Sequence, residues 1–281
     1  MQRWDTVAIV GVGLIGGSIG LALRRGSLAR RVIGVGRHEA RLRHALDLQA
    51  LTEFSTDLAR GVASAELIVV CTPVAQIVPS VQAATRVCPA GALITDAGSV
   101  KAAICRDLDD PGHGRGVFVG SHPLAGSERS GVEFATADLF SGRLTIVTPT
   151  AAARPEAVAQ VEQFWVALGS RVTRMTPDAH DRALAAVSHV PHMVAAALAA
   201  ATPPEYLQLV ATGWHDTTRV ASGAAELWQE ILTANRAYVL QSLADFEKVL
   251  SDFRRALATA DTSQLGRLLQ AGKDHRDSVG N

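Results

Sequence analysis

Gly11-Val12-Gly13-Leu14-Ile15-Gly16 directly follows a short β-rich run, Val7–Val10, and opens a helical stretch from Ile15 to about Arg25. In a G-x-G-x-x-G turn the first glycine permits a tight bend and the second lets a pyrophosphate approach the backbone. The third lets helix and strand pack closely. The free N–H groups and the positive end of the helix then hold the phosphates. A nicotinamide dinucleotide is the ligand expected of Gly11, Gly13, Leu14, Ile15 and Gly16. The second β-rich run, Val32–Val35, leads into Gly36-Arg37-His38. NAD-binding domains usually place Asp or Glu there to take the ribose hydroxyls. Gly36 with Arg37 beside it suits a 2′-phosphate instead, so NADP is favoured over NAD. The alternative is that Arg37 is a solvated loop residue stacked on adenine.

Three further segments sit where strands end: Thr72-Pro73, Asp96–Lys101 and Ser121–Glu128. In an open α/β sheet that edge faces the ligand crevice. Thr72 and Pro73 are expected to border the cofactor. His122 is the only side chain of its loop that titrates near neutrality, as a general base requires. Ser99 could orient its ring or hold the carboxamide of the cofactor. The competing reading of His122 is a structural histidine capped between a strand and a proline turn. Further along, His180, His189 and His192 precede Arg219, which lies in Asp216-Thr217-Thr218-Arg219. His189 and His192 could supply two metal ligands, but Pro191 interrupts them and no Cys or close carboxylate pair completes a set. No metal is expected; a pocket for an anionic substrate is. His180 and His189 also fit plain helix-cap and packing roles.

The elements that must position these groups change character along the chain. Short apolar runs recur at 7–10, 32–35, 67–71, 92–96, 117–120 and 144–147, with helical stretches between the early ones. That alternation predicts an α/β fold: a doubly wound parallel sheet covered on both faces. After Thr176-Pro177-Asp178 strand signal almost vanishes. Residues 178–201 are Ala-rich and helical, and apolar residues at Leu227, Ile231, Ala234, Tyr238, Leu243, Phe246, Leu250, Phe253 and Leu257 predict one long helix over 226–258. The expected domains are therefore 1–176, a dinucleotide-binding Rossmann unit, and 177–281, an all-α substrate and dimerisation unit. The long apolar stripe needs covering, and a homodimer would cover it. The polar tail, 271–281, is expected to fray.

Composition narrows the class. The chain has 281 residues, 48% hydrophobic and 19% charged, with 27 Lys+Arg against 27 Asp+Glu. Global disorder is excluded, and no basic excess points to nucleic acid or an anionic membrane. Three cysteines without C-x-x-C spacing argue against a disulfide framework. The N-terminus has no apolar core with a cleavage site, and the apolar run 7–23 carries too many glycines to read as a membrane span. A soluble cytoplasmic protein is expected.

These segments together resemble the prephenate/arogenate dehydrogenase family of tyrosine biosynthesis. The resemblance rests on GVGLIGGSIGLAL (11–23), CTPV (71–74), DAGSVK (96–101), SHPLAGSERSGVEFATADLF (121–140), SHVPH (188–192) and DTTRVA (216–221). It implies oxidative decarboxylation of prephenate to 4-hydroxyphenylpyruvate, with CO2 and reduced nicotinamide released. His122 would accept a hydrogen bond from the ring hydroxyl, and Ser99 would support His122 and the nicotinamide. Arg219 would hold a substrate carboxylate, His192 and His180 would line the pocket, and Glu128 would gate or shape it. Trp228 would reach the partner subunit's site. Leu124 replaces a frequent Met, a volume-conserving change. Two enzyme alternatives stand beside this. One is arogenate as substrate. The other is a β-hydroxyacid dehydrogenase of similar layout, in which Lys101 rather than His122 would do the chemistry.

Overall fold

The structure is a computed structural model and describes residues 3–109, 114–126 and 129–280. The first half alternates β1 (Trp4–Val10), α1 (Leu14–Arg25), β2 (Ala29–Val35), α2 (Glu39–Asp47), β3 (Glu53–Ser55), α3 (Leu58–Val62), β4 (Leu67–Val70), α4 (Val74–Val87), β5 (Leu93–Asp96), α5 (Ala102–Leu108) and β6 (Val117–Phe118). The six strands form one parallel sheet in the order β3-β2-β1-β4-β5-β6. Successive residues of a strand face opposite sides. Ile9 and Val69 pack into one apolar layer, while Ala8, Val10, Ile68 and Val70 pack into the other. Both faces are covered, which is why the strands read as unbroken apolar runs. Chain order reverses between β1 and β4, and that switch point opens the ligand crevice at the C-terminal strand ends.

The expected strands at 117–120 and 144–147 do not extend this sheet as one. β7 (Gly120–Pro123) and β8 (Leu144–Thr148) pair antiparallel, and after α6 (Pro155–Ala167), β9 (Arg171–Arg174) adds parallel to β8. Only Val119 separates β6 from β7, far too little chain for a parallel crossover, so β7 leaves the first sheet and seeds a second. Ser121 and His122 are thus strand residues rather than loop residues. Trp165 of α6 locks the junction, donating from Nε1 to the Ser121 hydroxyl at 2.9 Å. The short, polar strands β3 and β9 were not legible in the sequence.

The second half is helical: α7 (Pro177–Leu184), a wide π-type turn (Ala185–His189), α8 (Val190–Ala201), α9 (Thr212–Thr218), a 3-10 turn (Arg219–Ser222), α10 (Ala225–Ala234), α11 (Arg236–Ala258) and α12 (Thr262–Ser278). The Thr176 hydroxyl caps α7 by accepting from the Ala179 N–H at 3.2 Å. The wide turn precedes Pro191, which has no N–H to continue the regular ladder. The Pro177–Ala201 run has the length and mean hydropathy of a membrane span. Here, however, it carries His180, Asp181 and His189 buried inside the molecule. Two expectations are corrected. The helix over 226–258 is broken at Asn235, a buried residue whose side chain bonds inward. The tail does not fray at 271: α12 runs to Ser278 and is capped by Asp261, which accepts from the Gln264 N–H at 2.8 Å.

Candidate active site

The crevice above β1 and β4 fits a dinucleotide. A Cβ on Gly11, whose φ is +92°, would lie 2.8 Å from the Cys71 carbonyl, and one on Gly16 would lie 2.9 Å from Ile9 Cγ2. A Cβ on Gly13 would meet nothing within 4 Å, so that face is open for a pyrophosphate. Leu14 and Ile15 form the first turn of α1, which has no side-chain cap, leaving its N–H groups to the phosphates. Thr72 and Pro73 line the crevice, and the buried Thr72 hydroxyl has no partner. At the ribose end Arg37 is joined by His38 and by Arg41 of α2. Arg41 was missed in the sequence, although it lies four residues beyond Arg37. The residues present fit the cofactor, and two guanidiniums with no carboxylate at the end of β2 suit a 2′-phosphate.

A second cleft holds the candidate base. It is lined by His122, Ser99, Arg129, His189, Arg219 and Trp228, among others. His122 is 8% exposed. Its Nδ1 lies 2.8 Å from His180 Nε2, and His180 Nδ1 lies 2.8 Å from Asp181 Oδ1. Burial, and after it the neighbouring His180, Lys101 and His189, hold His122 well below the usual imidazole range, so the ring is neutral at pH 7. A neutral imidazole with one nitrogen toward the cleft can take a proton.

Several sequence expectations land elsewhere. His180 is completely buried (0% exposed) behind His122, because α7 packs against α5 and turns residue 180 inward; it lines no part of the cleft. The cleft-lining histidine of the second half is His189, whereas His192 lies beneath Trp228, ring centroids 3.5 Å apart and nearly parallel. Trp228 lines the cleft of its own chain. Ser99 shares the cleft with His122, but the hydrogen bond that holds His122 joins it to His180. Glu128 lies outside the described residues. Lys101 is 0% exposed, paired with the buried Asp96 and donating to the Ser121 carbonyl at 2.9 Å. A lysine so engaged cannot reach a substrate, which removes the β-hydroxyacid alternative.

Sequence reasoning missed Asp181, Asn235 and Arg129. The Asp181 carboxylate accepts from the Lys101 N–H (2.7 Å) and the Ala102 N–H (2.9 Å), capping α5. Asn235 donates to the Asp181 carbonyl and to His189 Nδ1. Asp181 stands next to a histidine and could have been flagged; Asn235 carries no sequence signal.

Comparison with known proteins gives the family and agrees with the fold. The family model for the prephenate dehydrogenase nucleotide-binding domain matches residues 19–174, and that for the prephenate dehydrogenase dimerization domain matches 176–271. The chain belongs to the prephenate dehydrogenase family. It is a nicotinamide-dinucleotide-dependent oxidoreductase of that family. The prephenate dehydrogenase of Bacillus subtilis is 32% identical over 99% of this chain and 77% of its own length. The A. aeolicus prephenate dehydrogenase, solved with hydroxyphenyl propionate and NAD+, superposes with a TM-score of 0.90 at 30% identity, covering 98% of each chain. The Synechocystis arogenate dehydrogenase superposes with a TM-score of 0.82 at 32% identity, over 98% of this chain and 99% of that one.

Proposed function

We propose that this chain oxidises and decarboxylates prephenate to 4-hydroxyphenylpyruvate, with NADP favoured over NAD as oxidant. The observation that carries the reading is the neutral, buried His122 in one cleft with Arg219 and Arg129. When bound, the nicotinamide accepts the hydride from the ring carbon that bears the hydroxyl. His122 takes the hydroxyl proton as that carbon becomes a ketone. The electrons of the ring carboxylate bond then flow into the ring, CO2 leaves, and His122 returns the proton to the new phenol oxygen. Charge balances without a further reactant: a dianion and an oxidised cofactor yield a monoanion, CO2 and a reduced cofactor. Arg219 and Arg129 offset the two substrate carboxylates, and positioning supplies much of the rest.

Prephenate is favoured over arogenate because the described cleft residues include two guanidiniums and no carboxylate to meet an ammonium group. The exposed apolar residues Leu240, Phe246, Val249, Leu250 and Leu257 on α11 support a homodimer, in line with the dimerization-domain match. Three unbonded cysteines suit a cytoplasmic setting. The test is cofactor absorbance with prephenate or arogenate offered against NADP or NAD. Turnover greatest with prephenate and NADP is expected; no turnover in any pairing, from protein that still binds dinucleotide, overturns the reading.

A further inference from the structure

Building on the reading of His122 as the base, we infer that His180 and Asp181 are positioning residues that fix which nitrogen of His122 carries its proton. The chain of hydrogen bonds has one consistent polarity. Backbone N–H groups of Lys101 and Ala102 donate to both oxygens of Asp181, so the carboxylate accepts throughout. His180 Nδ1, 2.8 Å from Asp181 Oδ1, must therefore be the protonated nitrogen of that ring. Burial pushes the His180 pKa down against the pull of Asp181, so the ring is neutral and its Nε2 is a bare acceptor. His122 Nδ1, 2.8 Å from that acceptor, must donate. Its single proton is then committed to the interior, and Nε2 is left with its lone pair on the cleft side.

Without this arrangement His122 would divide between two tautomers, one of which presents N–H to the substrate hydroxyl and cannot take its proton. The same chain serves after proton transfer. When Nε2 gains the hydroxyl proton, Nδ1–H still donates to His180, and the buried carboxylate behind His180 offsets the new positive charge. A carboxylate that orients an imidazole base in this way governs turnover more than binding. The spacing is set by tertiary contact: Asp181 is 80 residues from Lys101, and His180 is 58 from His122.

The test reads the tautomer directly. Long-range 1H–15N spectra of 15N-histidine-labelled protein separate the Nδ1–H, Nε2–H and doubly protonated forms of each ring. Wild-type His122 is expected as the Nδ1–H form at neutral pH. In His180→Leu the Nε2–H form should appear, with kcat down about 100-fold and KM little changed. His180→Gln, whose amide oxygen can accept from Nδ1–H, should recover most of the loss. An Nε2–H form in wild type overturns the proposal, as does a folded His180→Leu with unaltered tautomer and kcat. If His180→Leu does not fold, the wild-type spectrum still decides. The expected tautomer in a protein that turns over neither prephenate nor arogenate would sink the substrate reading and leave the positioning role standing.

Discussion

The side-chain amide of Asn235 donates to the backbone carbonyl of Asp181 at 2.7 Å, across 54 residues of chain. The same nitrogen lies 3.0 Å from His189 Nδ1. An amide NH2 only donates, so His189 carries its proton on Nε2. The break between α10 and α11 therefore ties the helical half to the cleft. Asn235→Leu leaves the buried His189 Nδ1 without its donor, which costs about 1–3 kcal/mol, while the Asp181 carbonyl keeps the Ala185 N–H. Urea denaturation should show a lower midpoint with an unchanged slope.

Burial holds the His189 pKa at about 4, below its ordinary 6.5. Its folded value is depressed, so the contribution of the neutral ring to stability is complete above pH 6.5. It is lost as pH falls toward 4, where the unfolded chain binds the proton first. Burial lowers His180 and His122 in the same direction, and they add to the trend. Denaturation midpoints measured from about pH 7 down to about pH 4 should fall steadily, and His189→Gln should flatten part of that fall.

His122→Ala should cut kcat by about 10²- to 10⁴-fold while leaving dinucleotide affinity intact. Because burial above all holds His122 well below the usual imidazole range, the acid limb of kcat/KM in wild type should lie below pH 6.5. Steady-state rates against pH, with cofactor binding followed by fluorescence, check both statements. An acid limb well above pH 6.5 would assign the base elsewhere.

Arg37 and Arg41 border the ribose end of the crevice. Replacing Arg37 by Ser removes a charge-assisted contact worth about 1.5–3 kcal/mol when desolvated. At this open edge the effect should be about tenfold on KM for NADP, with KM for NAD nearly unmoved. Equal effects on the two cofactors would mean that Arg37 stacks on adenine rather than holding a phosphate.

Lys101 neutralises the fully buried Asp96, which also accepts from the Gly98 N–H (2.9 Å) and the Ser121 N–H (3.1 Å). Lys101→Met strands that carboxylate and should destabilise the fold by about 3–5 kcal/mol. Restoring a neutral partner in the double variant Lys101→Met, Asp96→Asn should recover part of the loss, as a double-mutant cycle by calorimetry would show.

The sequence by itself determined what local sterics and periodicity determine. The glycines at 11, 13 and 16 announce a phosphate turn because each role is a backbone requirement met within one strand–turn–helix. The apolar runs announce a two-sided parallel sheet because alternate residues all need burial. His122 could be placed at the cleft because its segment sits at a strand end, and Arg37 at the crevice because it follows the second strand at a fixed place. What lies behind His122 could not be read. His180 looks like a pocket residue until α7 docks on α5 and buries it. Asp181 becomes the anchor of a proton-ordering chain only when it caps a helix 80 residues earlier. Asn235 is hidden inside an unbroken helical period, since periodicity reports which residues are apolar and not which buried acceptors need a donor. Hydrogen-bond partners across such distances are chosen by packing, and only the tertiary structure decides them.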